Sequence, residues 1–383
     1  MLRLIEGFMS KILHLTRDFP PRWNGGISTA VASIVRTQRA NGDDITICSF
    51  DGWRPTRAST EATSHPLERT RYEAAHYQAG ALSVYRCVSG DALARVQETL
   101  RGQEFDQVEV HHPMLWPVLN ALELGGACYK IYVAHVHAAQ MDALRALDRP
   151  THSAQSEEQA LQEADLVVAT SMAQFKQFRT MYPVLQSKLM CRKNRMILPE
   201  VPRWIPYTQR AFDLGIFGRF SDLKNTDAGL RALSSVLSEH PSARAVVVGG
   251  IPDNPKTERK RWAAFLAACP PGVSERVQFL GWLARDAALE VMANTRMVVA
   301  PSRAETWGLV VQEAMALGCC VVATPLPAHI EQIEDRNTGV FTANATLEAV
   351  ERRVGEVFRD DALQKRISDA ARTRWMAQAS EEF

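Results

Sequence analysis

Two glutamates, Glu305 and Glu313, stand eight positions apart in SRAETWGLVVQEAMALG (302–318), with Thr306, Trp307, Gly308 and Leu309 between them. From Leu309 the segment is apolar almost without a break. A glycine just before a helix lets backbone N–H groups, and the positive end of the helix dipole, come close to an anion such as a phosphate. A helix that is apolar on nearly every side is buried. A carboxylate one turn inside it, Glu313, therefore needs partners or a task, and the hydroxyls of a ribose suit it. Glu305 precedes the helix and faces whatever extends beyond the phosphates. The plainer alternative is a capping glutamate followed by a helix glutamate with a salt-bridge partner. The glycine, the apolar helix and the strand ahead of them weigh against it.

Three further clusters bear on the same chemistry. In FGRFSDLKN (217–225), Arg219 ends a strand and Lys224 stands at the entry to a helix. Two cations so placed can hold a diphosphate leaving group as charge develops on it; alone, they read as surface cations beside a turn. In PRWNGG (21–26), Gly25 and Gly26 precede a helix and admit close approach of backbone to a ligand. The third glycine of a dinucleotide fingerprint is missing, which argues against NAD. His111-His112 and His135-Val136-His137 close two neighbouring strands. Four histidines there raise a metal site, but no carboxylate or cysteine set accompanies them, and a polar or catalytic role for one of them is favoured. A satisfied core histidine is the alternative for each. Alternation along the strand places His135 and His137 on one face.

Each cluster follows an apolar strand. KILHLT (11–16), DITICSF (44–50), FDQVEVHH (105–112), YKIYVAHVH (129–137) and ADLVVATS (164–171) alternate with helices at 28–40 and 115–124 and after 171. PEVPRWIPYTQR (199–210), with three prolines, reads as a linker. A second alternation follows: strands DLGIFGRF, ARAVVVGG, RVQFLGW, RMVVAPS and CCVVATP, with helices between them and a charged helical tail from 346. Strand–helix repetition of this kind predicts α/β architecture: two doubly wound, Rossmann-like domains with an interdomain cleft. The expected boundaries are 1–203, 204–365 and a C-terminal helix, 366–383, packing on the N-terminal domain.

The 383 residues suit two domains. A net charge of +1 gives no basic footprint for nucleic acid. Seven scattered cysteines without a C-x-x-C fit reduced thiols in a cytoplasmic protein. No apolar run approaches the roughly 20 residues of a membrane span, although peripheral contact with anionic lipid stays open. Glu6 and Lys11 interrupt any signal-peptide core, and Met9 is an alternative start.

Taken in order along nearly the whole chain, these segments resemble the retaining glycosyltransferases of family 4, which have the GT-B fold. PSRAETWGLVVQEAMALGCCVVAT is similar to that family's E-x7-E signature, GRFSDLKN to its Gly-Arg…Lys segment, and KILHLTRDFPPRWNGGIST to its first strand and glycine loop. VQFLGW and HIEQIEDRNTGVF resemble its base-binding and closing segments. The resemblance implies that Arg219 and Lys224 hold the donor diphosphate and that Glu313 binds the ribose. It places Glu305 near the transferred sugar, Thr306, Trp307, Gly308 and Leu309 along sugar and phosphate, and Gly281 in the base segment. Gly25 and Gly26 lie near donor phosphate and acceptor. The family's N-domain histidine matches His137 or His135, with His137 preferred because small residues follow it. ILPEVPRW departs from the family, which usually has an Asn-Gly before the linker.

The implied activity moves a sugar from a UDP- or GDP-sugar to a hydroxyl acceptor, a saccharide, glycolipid or small natural product, with retention. Neither a metal nor a cofactor is expected, since Asp-x-Asp is lacking and fixed cations do a metal's electrostatic work. The alternatives are a GT-B sugar-nucleotide epimerase and a catalytically idle nucleotide-sugar or glycan-binding partner. Acceptor contacts are expected from the polar segment 51–75.

Overall fold

The computed structural model describes residues 9–20, 25–50, 69–72, 82–87, 89–194, 204–250 and 255–380. The expected acceptor segment 51–75 lies outside them except for Arg69–Tyr72, as do residues 21–24 of the glycine loop and the start of the linker. Two compact units, Met1–Arg195 and Met196–Phe383, divide the chain slightly ahead of the expected boundary.

The first unit contains strands β1 (Lys11–Thr16), β2 (Asp44–Ser49), β3 (Arg69–Tyr72), β4 (Leu82–Arg86), β5 (Gln107–Val110), β6 (Tyr129–Ala134), β7 (Leu166–Ala169) and β8 (Leu189–Cys191). Its helices are α1 (Gly26–Ala40), α2 (Gly90–Leu100), α3 (Trp116–Asn120), α4 (Ala138–Leu144), α5 (His152–Glu163) and α6 (Met172–Met181). Among the described residues the sheet order is β3-β4-β2-β1-β5-β6-β7-β8, with β3 antiparallel to β4 and the other pairs parallel. From β4 to β7 this is the doubly wound order, whose direction of winding reverses between β1 and β5. Strand β1 serves both faces: Leu13 and Leu15 enter the layer with Val108, Val110, Trp116 and Tyr132, whereas Ile12 packs with Val31, Val35, Ile45 and Ile47. That double burial is why these strands read as continuous apolar runs.

The second unit contains β9 (Phe212–Arg219), β10 (Ala245–Gly250), β11 (Val277–Gly281), β12 (Thr295–Ala300), β13 (Cys320–Ala323) and β14 (Val340–Phe341). Its helices are α7 (Thr226–Glu239), α8 (Pro255–Ala268), α9 (Arg285–Ala293), α10 (Leu309–Ala316), α11 (Pro327–Ile330), α12 (Leu347–Phe358) and α13 (Asp361–Ser380). The parallel order β11-β10-β9-β12-β13-β14 repeats the doubly wound pattern, reversing between β9 and β12.

Some elements differ from the sequence expectation. The helix read at 115–124 is a 3-10 turn at Pro113–Leu115 followed by the five-residue α3, because Pro117 suits only a first helical turn. The C-terminal helix starts at Asp361, and its buried side chains Ile367, Ala371 and Trp375 enter the second unit's core. The buried guanidinium of Arg210, just ahead of β9, donates to the carbonyls of Leu317 at 2.9 Å, Gly318 at 2.7 Å and Thr295 at 3.0 Å. It thereby closes the carboxyl end of α10 with a cation, the charge that end of a helix favours. Among the described residues no helix is long and apolar enough to cross a membrane.

Candidate active site

At the reversal point of the second sheet, the loops after β9 and β12 are tied together. Asn225 adopts a left-handed conformation (φ 52°) ahead of α7 and donates from Nδ2 to the carbonyls of Pro301 (3.0 Å) and Ala345 (2.8 Å). The Arg303 amide donates to the Leu223 carbonyl at 2.7 Å. These bonds bring Lys224 to Glu305: the ammonium donates to Oε1 at 2.5 Å, and Ser302 Oγ donates to the same oxygen at 2.9 Å. Burial pushes the Glu305 pKa up, but Lys224, His329 and the Ser302 hydrogen bond outweigh it and hold the carboxyl below its ordinary range. Glu305 is therefore an anion at neutral pH.

Arg219, exposed at the end of β9, shares a depression of about 370 Å³, counted with its open mouth, with Lys224, Ser302, Glu305, Gly308 and His329. Gly308 caps α10 at φ 91°, a conformation open to glycine. A Cβ there would lie 2.9 Å from His329 Nε2, so the position has no room for a side chain. The first bond of the helix runs from the Val311 amide to the Gly308 carbonyl. The amides of Leu309 and Val310 come before it, where intrahelical acceptors are lacking. His329 sits 2.9 Å from the Thr324 carbonyl through Nδ1. A carbonyl only accepts, so Nδ1 carries the proton in that bond. Burial lowers the His329 pKa despite the pull of Glu305 and Thr324, which leaves Nε2 as a neutral acceptor above Gly308.

The other members of the expected set do not line this depression. Trp307 is buried, and its carbonyl accepts from Gln332 Nε2 at 2.6 Å. Gly281 ends β11 with φ 63°. Glu313 is mostly buried and accepts from Arg285 Nη2 at 3.2 Å. The salt-bridge partner of the plainer alternative therefore exists, on α9. Thr306 and Leu309 flank the glycine cap in sequence.

In the first unit, Gly25 leads into α1 with φ 150° and Gly26 opens the helix. The two expected histidines have different surroundings. Strand β6 stops at Ala134, where the His135 amide bonds the Val133 carbonyl at 2.9 Å in a three-residue turn. The alternation that would put His135 and His137 on one face is broken there. His135 Nε2 meets His111 Nδ1 at 3.1 Å, and His111 Nε2 meets His14 Nδ1 at 2.8 Å. Burial lowers all three pKa values, that of His135 to about 3. His137 turns the other way: its Nε2 lies 3.2 Å from the Tyr182 hydroxyl and its ring packs edge-on against Phe178. Glu157 fixes the chain just after it, accepting from the Ala138 amide at 2.6 Å and the Tyr132 hydroxyl at 3.0 Å.

A carboxylate does accompany the histidines, contrary to the sequence expectation. Glu109 lies opposite His14 in the β1–β5 register, and His14, Glu109 and His111 bring ligand atoms within 4.8 Å of one another. Arg192 already answers its charge, with Nη2 2.5 Å from Oε2. Burial favours the neutral acid, yet Arg192 drives the Glu109 pKa far below the carboxylate range. The 2.8 Å contact between the His14 and His111 nitrogens is a hydrogen bond, Gln38 and Arg192 both donate to the Glu109 carboxylate, and His14 Nε2 is buried without a hydrogen-bond partner.

Residues 209–374 match the family described as Glycosyl transferases group 1, and residues 25–187 match the Glycosyl transferase 4-like domain. The chain belongs to this glycosyltransferase family. It is similar to a D-inositol 3-phosphate glycosyltransferase of Stackebrandtia nassauensis, 29% identical over 78% of this chain and 68% of the relative. It also resembles a lipopolysaccharide core biosynthesis mannosyltransferase of Rhizobium leguminosarum, 35% identical over 39% of this chain and 42% of the relative. Among solved structures, HepE of Anabaena in complex with UDP-glucose superposes with a TM-score of 0.70 at 19% identity, covering 98% of this chain and 95% of that one. Sucrose-phosphate synthase of Thermosynechococcus elongatus gives 0.76 at 16% identity, covering 96% and 94%. At these identities the structures establish the two-unit GT-B fold.

Sequence reasoning missed five residues that shape the glycosyltransferase's second unit: Ser302, Asn225, His329, Arg285 and Arg210. Asn225 had a signal, as a polar residue just before a helix start. The other four act on positions three to 108 residues away, and nothing local marks them.

Proposed function

We propose that this glycosyltransferase moves a sugar from a UDP- or GDP-sugar to a hydroxyl acceptor in glycan, glycoconjugate or natural-product biosynthesis, with the anomeric configuration retained and no metal required. The observation that carries the reading is the set of Arg219, Lys224 and the glycine-capped start of α10 around one depression at the sheet's reversal point. Two fixed cations and a helix start complement a diphosphate and stabilise it as it leaves. Glu305 already holds Lys224 at 2.5 Å. An arriving diphosphate competes for that ammonium, and the carboxylate is then available to accept from a sugar hydroxyl. Glu313 serves the ribose, Gly281 the base, and Thr306, Trp307 and Leu309 the sugar–phosphate stretch through their backbone. In the first unit His137 stays ahead of His135 for contact with the sugar: both rings are buried and hydrogen-bonded, but His137 stands at the start of α4, with small residues after it. Gly25 and Gly26 remain the candidates beside phosphate and acceptor.

The test uses the full chain with UDP- and GDP-sugars and an acceptor panel of saccharides, polyols and glycolipids. Nucleotide release that depends on acceptor, with an α-linked product by NMR from an α-configured donor, is expected in the presence of EDTA. Nucleotide-sugar turnover without acceptor would favour the epimerase. Inversion, or loss of activity in EDTA, would overturn the corresponding part.

A further inference from the structure

Arg285 is the first residue of α9 and follows the Trp282-Leu283-Ala284 turn that leaves β11. An arginine directly after such a turn ordinarily projects into water. Here its side chain is 7% exposed and its Nη2 stands 3.2 Å from Oε1 of Glu313, itself 13% exposed, on the neighbouring helix α10. The pair joins the helix that enters β12 to the helix that leaves it. A guanidinium does not give up its proton in a protein, and burying it is costly without a matching anion. The position is therefore expensive to maintain for stability alone, since a well-packed apolar pair of similar volume often serves as well.

We infer that Arg285 is a positioning residue for the nucleoside end of the donor: it holds the Glu313 carboxylate oriented so that the ribose hydroxyls can donate to it. This rests on the ribose reading of Glu313 given above and names the residue through which that reading works. A carboxylate offers about four acceptor positions on two oxygens. The Arg285 guanidinium takes one of them, on Oε1, and the ribose hydroxyls compete for the rest. Without the cation, a mostly buried carboxylate loses the partner that fixes its orientation and turns toward water, away from the paired hydroxyls. The location agrees, because Arg285 lies four residues beyond Gly281, at the end of the strand assigned to the base. The same short segment would thus touch the base through its turn and set the ribose contact through its first helical residue.

Calorimetric titration of the full chain with UDP, 2′-deoxy-UDP, GDP and 2′-deoxy-GDP tests the inference. The wild type should prefer the ribose form of the nucleotide it binds by about tenfold or more, the value of a hydrogen bond to a charged group. Glu313→Ala and Arg285→Met should each bring that ratio close to one, while the deoxy form binds almost as it does to the wild type. A ratio near one in the wild type, or a ratio unmoved by Glu313→Ala, would sink the ribose reading and the inference with it. A ratio lost in Glu313→Ala but kept in a folded Arg285→Met would overturn the inference alone and leave Arg285 as a staple between two helices. If Arg285→Met does not fold, Arg285→Lys decides. Its ammonium lacks the planar fork, so a reduced ratio supports the positioning role and a wild-type ratio overturns it.

Discussion

The carboxyl ends of the two sheets carry titratable residues at the same topological place and treat them in opposite ways. In the first unit, His14, His111 and His135 bond one another in line, Glu109 is answered by Arg192, and all four of these histidine and glutamate side chains are buried. In the second, Arg219 is exposed, Lys224 is partly so, and both share a depression with Glu305. One set is closed on itself and stiffens the fold; the other keeps charge where a ligand can reach it. A cluster of titratable side chains therefore points to chemistry only when solvent or substrate has access to it.

The largest effect should come from the open set. Lys224→Ala should lower turnover of the folded protein about 10²- to 10³-fold, measured by initial rates at saturating donor, with some loss of melting temperature because Glu305 loses its cation. Glu305→Gln should follow, lowering turnover about 10- to 100-fold, since a neutral amide anchors Lys224 poorly and binds a sugar hydroxyl weakly. If either variant loses stability and keeps its rate, the contrast between the two sheets is misdrawn. The closed set should behave conversely: His111→Leu removes the two hydrogen bonds that His111 makes to His14 Nδ1 and His135 Nε2. It should cost about 2–4 kcal/mol in urea unfolding, with near-normal turnover of the folded fraction.

The smallest effect, and the one that sharpens the comparison most, depends on pH. Burial lowers the His135 pKa from 6.5 to about 3, so the unfolded chain takes up the proton first as pH falls. The stability involved is fully present above about pH 6.5 and is lost progressively toward pH 3. Burial acts on Glu157 in the opposite sense, raising its pKa from 4.5 to about 7; its contribution is present below pH 4.5 and lost as pH rises through 7. Urea midpoints measured from pH 4 to pH 8 should fall on both sides, and His135→Asn should flatten the acid side alone by roughly 1–3 kcal/mol.

Much of this was visible in the sequence. Apolar runs flanked by glycine located strands on both sides of the linker, and the glycine-capped helix start was readable because Gly308 and Leu309 are adjacent. Less visible was whatever depends on register or on a turn. Glu109 meets His14 only because β1 and β5 run parallel in one alignment. His135 and His137 separate because a tight turn follows Ala134. Strand β4 escaped notice for want of a conspicuous apolar run, although Leu82, Val84 and Tyr85 are buried.

The grip of Arg210 on the last carbonyls of α10 has a practical bearing on dissection of the protein. A fragment of the second unit begun at β9, where regular structure resumes, would omit this side chain, along with Ile205 and the buried Tyr207 that bonds Asp361 and Gln364. The helix whose first turn is proposed to receive phosphate would then lose the donor to its Leu317 carbonyl, with Ser368 still on Gly318 and Arg372 still on Ala316. Such a fragment should lose nucleotide binding with every donor-side residue still in place. The same fragment extended back to Ile205, whose carbonyl also accepts from Arg210 at 3.1 Å, should keep it.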